Sequence, residues 1–90
     1  MTRLPLGRCV ITPAAITALE EAGLTPASLL ERQSSLDFGQ LDAHDRHANE
    51  VAIRDGLRVL SNYPLPGGQR VWIITEWDRS YTTVLLPSDY

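Results

Sequence analysis

Between residues 57 and 87 the chain alternates runs of β-branched and aromatic residues with clusters of turn formers. The runs are 57–63, 70–75 and 81–87, and the breaks are Pro64-Leu65-Pro66-Gly67-Gly68 and Asp78-Arg79-Ser80. Such spacing predicts strand, turn, strand, turn, strand, which is an antiparallel meander. The middle run is apolar on both sides: Val71, Ile73 and Thr75 point one way and Trp72 and Ile74 the other. A central strand of that kind needs cover on its second face, and the helices are expected to supply it.

The rest of the chain reads as helices. Arg8-Cys9-Val10-Ile11 is a short strand or extended arm that runs into Thr12-Pro13, an N-cap followed by a proline where a missing N–H costs nothing. Ala15, Ile16, Leu19 and Ala22 recur at helical spacing up to Gly23, which fits the left-handed position past a helix end. Thr25-Pro26 repeats the start signal for a second helix that Ser34-Ser35 ends, so the two make a helical hairpin. Residues 36–41 are a loop pinned by Phe38. A third helix is predicted from Asp42 or Ala43 to Asp55, with Asp42 as cap, Gly56 as stop, and Leu41, Ala48, Val51 and Ala52 on its apolar stripe.

The predicted architecture is α+β: three helices packed on a three- to four-stranded antiparallel β-meander. Ninety residues make one domain, 1–90, with a strand and helical hairpin over 8–35, a loop and acidic helix over 36–56, and the meander over 57–87. The expected core is Ile11, Ile16, Leu19, Leu30, Val51, Ala52, Val59, Ile73, Val84 and Leu86. Cys9 is the single cysteine, expected as a buried, inert thiol.

Composition narrows the function classes. The net charge is −3, and all eight basic residues are arginine. An acidic chain is a poor general ligand for nucleic acid, and the absence of lysine removes Schiff-base chemistry and the phosphate-loop motif. No direct nucleic-acid partner and no cofactor are expected. No apolar run approaches the roughly 18 residues of a membrane span, and residues 1–5 lack the regions of a signal peptide. The expectation is a cytoplasmic protein with no membrane partner.

The charge is concentrated. Asp37, Asp42, Asp45, Glu50 and Asp55 stand against only Arg46 and Arg54, which accounts for the whole net charge, and Glu76 and Asp78 add a second acidic cluster beside Arg79. Acids grouped this way can meet a basic partner surface. Glu76 and Asp78 could also serve as a carboxylate acid–base pair, and His44 and His47, three apart on the third helix, could share a metal with a further ligand. Asp78 and Arg79 equally suit a closed turn with an ion pair to the helix acids. Trp72, Trp77, Tyr63 and Tyr81, with Arg58, Arg70 and Arg79, are the aromatic and basic groups a base-stacking surface would use. Among the rings, Trp77 occupies a strand end where exposure suits an interface anchor.

The residues Asp37-Phe38-Gly39, Asp45, Asn49, Arg58-Val59-Leu60-Ser61-Asn62-Tyr63, Trp72-Ile73-Ile74-Thr75-Glu76-Trp77-Asp78-Arg79-Ser80 and Thr82-Thr83-Val84-Leu85-Leu86-Pro87 resemble a family of small proteins carried by plasmids and integrative elements. The likeness covers nearly the whole chain and is most specific in its last third. Phe38 stands where that family usually has Trp, and Trp77 where it has a small residue. The resemblance implies a mobile-element habitat. By analogy with anti-CRISPR proteins it suggests an inhibitor that binds a host protein or ribonucleoprotein complex, such as a CRISPR effector. The residues expected to make that contact are Asp42, Asp45, Glu50, Glu76, Trp77, Asp78 and Arg79. The alternatives are a small nucleic-acid-associated regulator, or a small enzyme or metal-binding protein using Glu76 and Asp78 or His44 and His47.

Overall fold

Capping chemistry sets the helix limits. In the computed structural model, which describes residues 3–90, the Thr12 side chain accepts the Ala15 N–H to start α1 (Pro13–Ala22), and Gly23 ends it in the left-handed region. Thr25 does the same for α2 (Pro26–Ser34) by accepting the Ser28 N–H. Asp42 accepts the Asp45 N–H at the start of α3 (Ala43–Asp55), which ends at Gly56. No helix among the described residues is long and apolar enough to cross a membrane.

The strands are β1 (Arg8–Ile11), β2 (Val59–Pro64), β3 (Arg70–Thr75) and β4 (Tyr81–Leu85), followed by a short 3-10 turn at Pro87–Asp89. They form one sheet in the order β1-β4-β3-β2. The α+β class holds, and β2, β3 and β4 pair antiparallel as a meander. The expectation of a purely antiparallel sheet does not hold, because β1 lies parallel to β4, with Cys9 beside Thr82 and Ile11 beside Val84. Between β1 and β4 the chain passes through all three helices and two strands, and a crossover of that length is what a parallel pair requires.

Val59, Ser61 and Tyr63 of β2, Val71, Ile73 and Thr75 of β3, and Thr82 and Val84 of β4 share the helix-facing side and are buried. The main core joins several of them to Ala15, Ala18 and Leu19 of α1 and Leu29 of α2, while Ala52 of α3 packs with Val59 and Leu4. Burial of that apolar surface is the main stabilising term for a domain this size. Of the expected core, Leu19, Ala52, Val59, Ile73 and Val84 are buried, and Ile11, Leu30, Val51 and Leu86 are partly so. Ile16 is 42% exposed. Ala18 takes its place beside Ala15, Leu19 and Ala22 of the expected stripe. Cys9 is exposed, as are Arg8 and Val10 beside it on the edge strand β1. On α3 the buried positions are Asn49 and Ala52, whereas Ala48 is exposed.

A polar seam crosses the helix-facing side. The amide of Gln33, fully buried on α2, donates to Thr75 Oγ1 at 3.1 Å and accepts from the Ser61 hydroxyl. Thr82 Oγ1 donates to the Leu6 carbonyl at 2.7 Å, so its 2.8 Å contact with Thr75 leaves Thr75 as the donor there. Every hydroxyl proton has an acceptor, so the seam ties three strands and α2 into one register without an unpaired group.

The outer edge of β2 is closed. The Asn49 side chain donates to the Leu60 carbonyl at 2.7 Å and accepts its N–H at 3.1 Å. The next outward pair, on Asn62, bonds the Phe38 carbonyl and the Gln40 N–H. Gly39 sits between them at φ +73°, and a β-carbon there would strike the Asn62 carbonyl. Phe38 packs on the Leu4, Ala52 and Val59 cluster, as its expected pinning role requires.

The other face carries Trp72, Ile74, Thr83 and Leu85. Its cover comes from the chain's tail and not from the helices, whose buried side chains pack with the first face. The Tyr90 ring meets Trp72 edge-on at 5.9 Å. Beneath it Ile74 and Leu85 floor a cleft of about 200 Å³.

Candidate functional site

The turn between β3 and β4 is built from its own side chains. Asp78 Oδ1 accepts the Ser80 N–H at 3.0 Å and the Ser80 hydroxyl at 2.6 Å. The hydroxyl bond, with the N–H bond second, holds the Asp78 carboxyl below the usual aspartate range. The Glu76 N–H donates to the Tyr81 carbonyl, and the Arg79 N–H to the Glu76 carbonyl. Arg79 adopts φ +59°, a left-handed conformation costly for a residue with a side chain. What compensates for it is the guanidinium.

Arg79 does not pair with the helix acids as the sequence suggested. Its Nη1 donates to the Leu57 carbonyl at 2.6 Å and the Glu76 carbonyl at 3.0 Å, and its Nη2 to the Ala52 carbonyl at 3.0 Å. Ala52 lies in the last turn of α3, and its carbonyl also accepts the Gly56 and Leu57 N–H groups that close the helix end. A cation there also meets the negative end of the helix dipole. Gly7 approaches the same turn so closely that a β-carbon would strike the Arg79 and Ser80 carbonyls. The turn is therefore fixed from three sides.

Glu76 points away from the tip. Its carboxylate pairs with Arg58 at 3.2 Å, largely covered, and Arg58 also donates to the Tyr90 hydroxyl at 3.3 Å. Trp77 makes no such contribution. Its side chain stands at the tip, 64% exposed.

The other expected residues lie elsewhere on α3. Asp42 caps the amino end at 2.8 Å from the Asp45 N–H, and Asp45 sits in the first turn where a carboxylate suits the dipole. At 1.5 Å of rise per residue, Asp42 is about 15 Å along the axis from Ala52, which Arg79 holds. Glu50 lies between, exposed, with His47 Nδ1 3.7 Å from its carboxylate. The fold thus brings Glu76, Trp77, Asp78 and Arg79 together at the carboxyl end of α3 and keeps Asp42 and Asp45 at the other end. Among the described residues no three His, Cys, Asp or Glu side chains gather where they could hold a metal, His44 and His47 included. Glu76 and Asp78 are engaged by Arg58 and Ser80, and the lowered Asp78 carboxyl is displaced away from the range in which it could donate a proton at neutral pH.

The arginines that would make a base-stacking surface are likewise occupied, as are two of its four rings, Trp77 and Tyr81 remaining exposed. Arg58 pairs with Glu76, Arg70 donates to the Gln40 side chain at 3.2 Å, and Arg79 caps α3. Trp72 packs with Tyr90, and Tyr63 is buried under the Arg32 guanidinium, 4.6 Å from the ring centre. Burial pushes the Tyr63 hydroxyl up to about 12, and it donates to the Asp37 carbonyl. Leu57, expected at the start of the first strand run, lies before β2, half exposed, with its carbonyl held by Arg79. The signal available was its position just past the Gly56 helix stop.

Comparison with protein-family models, curated proteins and solved structures finds no match to this chain.

Proposed function

We propose that this protein is a non-enzymatic binding protein that docks on a larger partner with the β3–β4 turn, using Trp77 as its anchor. The observation that carries the reading is a large indole held in water on a turn that Asp78, Ser80, Gly7 and Arg79 fix. An exposed tryptophan on a rigid support binds with little loss of freedom, and buried tryptophans are prominent among interface hot spots. Asp78 lies beside Trp77 in the turn, while Asp42, Asp45 and Glu50 extend negative charge along α3. The partner that fits is a basic surface of the kind that holds nucleic acid.

The finer form of the proposal follows from the likeness to mobile-element proteins. The chain would act in the host cytoplasm as an inhibitor of a defence complex, anti-CRISPR-like, blocking an effector's nucleic-acid groove. Affinity capture from host lysate with the wild-type protein and Trp77→Ala side by side tests it. The expected result is a nucleic-acid-handling complex retained by the wild type and lost from Trp77→Ala at unchanged fold. A partner retained equally by both would overturn the role given to Trp77.

A further inference from the structure

The two edges of the sheet are treated differently. Every outward backbone group of Leu60 and Asn62 on β2 has a partner, whereas β1 has no neighbouring strand on its outer side among the described residues. The Arg8 and Thr12 N–H groups donate to the Ser80 and Val84 carbonyls of the β4 side. By the alternation of a parallel ladder, the N–H and C=O of Cys9 and Ile11 then point outward. All of Arg8, Cys9 and Val10 is exposed, so neither helices nor loops cover this edge. An unpaired edge of this kind is a template for another strand.

We propose that β1 is a self-association edge, on which β1 of a second copy of this chain lies antiparallel with the two Val10 residues directly opposite. That register has two features read from this chain. Cys9 of each copy falls opposite Ile11 of the other, so every N–H and C=O that β1 turns outward is paired, and the 40%-exposed Val10 side chains meet on one face. Charge is complementary as well. Arg8 has no ion pair or side-chain hydrogen bond among the described residues, and it falls opposite Thr12 of the second copy. The Thr12 hydroxyl holds the Asp89 carboxylate at 2.7 Å, so each Arg8 meets an Asp89 across the two-fold axis. Closure at β2 limits the assembly to a dimer with a continuous sheet, since the second edge offers nothing to extend it. This inference stands apart from the Trp77 reading, because it uses neither the tip of the turn nor any other partner.

Sedimentation equilibrium of the full chain at rising concentration tests it. The wild type is expected to pass from monomer to dimer, more weakly at high salt because the ion pairs are exposed. Cys9→Pro removes an outward N–H while sparing the β4 ladder, and is expected to stay monomeric with an unchanged circular dichroism spectrum. Arg8→Glu, which leaves the backbone intact, is expected to weaken the dimer about tenfold or more. Val10→Cys on a Cys9→Ser background is expected to oxidise to a linked dimer, since directly opposed non-hydrogen-bonded residues stand about 4.5 Å apart at Cα, within disulfide reach. A wild type that remains monomeric at every concentration, or a dimer indifferent to both Cys9→Pro and Arg8→Glu, would overturn the proposal.

Discussion

The two ends of α3 both carry charge, but to different effect. At the amino end Asp42 and Asp45 complete the helix from within its own sequence, by capping and by lying in the first turn. At the carboxyl end the charge arrives from far along the chain, on Arg79, and joins three segments through the Ala52, Leu57 and Glu76 carbonyls. Asp42 thus serves an N–H with no partner inside the helix, whereas Arg79 brings a cation to a carbonyl that the Gly56 and Leu57 N–H groups already pair. It adds the joining of segments and a charge that suits the helix dipole. What remains available to a partner at the carboxyl end is the uncharged residue, Trp77, and at the amino end a solvated carboxylate face.

The largest expected effect follows from Arg79. Arg79→Ala should lower stability by about 2 to 3 kcal/mol, because three hydrogen bonds from a charged donor are lost and the Leu57 carbonyl loses that donor, while the Ala52 and Glu76 carbonyls keep backbone partners. Arg79→Gly should lose about 1 kcal/mol less, since glycine accepts φ +59° without strain. Urea denaturation checks both, and losses under 0.5 kcal/mol would remove Arg79 from the account. Next comes the amino end, where Asp42→Ala should cost about 1 kcal/mol for the lost cap. A loss exceeding that of Arg79→Ala would reverse the comparison.

A pH experiment sharpens the carboxyl end. A carboxyl lowered in the folded state contributes stability at pH values above its unfolded pKa, near 3.8 for Asp78, and that contribution is lost as pH falls through the folded value. Ser80→Ala should therefore move the Asp78 titration upward, toward an ordinary aspartate, in a carbon-detected NMR titration. An unmoved titration would show that the Ser80 hydroxyl does not hold the carboxylate. The smallest effect belongs to Trp77→Ala, which should change stability by under about 0.5 kcal/mol, as expected for an exposed side chain without structural contacts. A loss above 1.5 kcal/mol in the same denaturation series would mean that the indole serves the fold.

Much of this framework was legible in residue chemistry. Thr12, Thr25 and Asp42 start helices where capping predicts, Gly23 and Gly56 end two of them, and the meander follows its Gly, Pro and Asp breaks. The direction of β1 was not, because a four-residue apolar run has no local mark of which strand it will join or which way it will run. Ile16 was misplaced because it only borders the stripe of Ala15, Ala18, Leu19 and Ala22 that meets the sheet. Gln33, Ser61, Thr75 and Thr82 read as surface polar residues until the fold stacks them into one seam. For the site, the exposure of Trp77 was legible from its place at a strand end. The role of Arg79 was not, since its partners are main-chain carbonyls that leave no trace in side-chain identity.

The most direct test compares the kinetics of two variants against the captured partner by biolayer interferometry at low salt. Trp77→Ala should raise the dissociation rate at least about thirtyfold, the equivalent of about 2 kcal/mol for an anchor. Asp42, Asp45 and Glu50 neutralised together should slow association by a few-fold and leave dissociation nearly unchanged. Wild-type kinetics in Trp77→Ala, with binding lost in the neutralised variant, would contradict the account and move the contact to the amino end of α3.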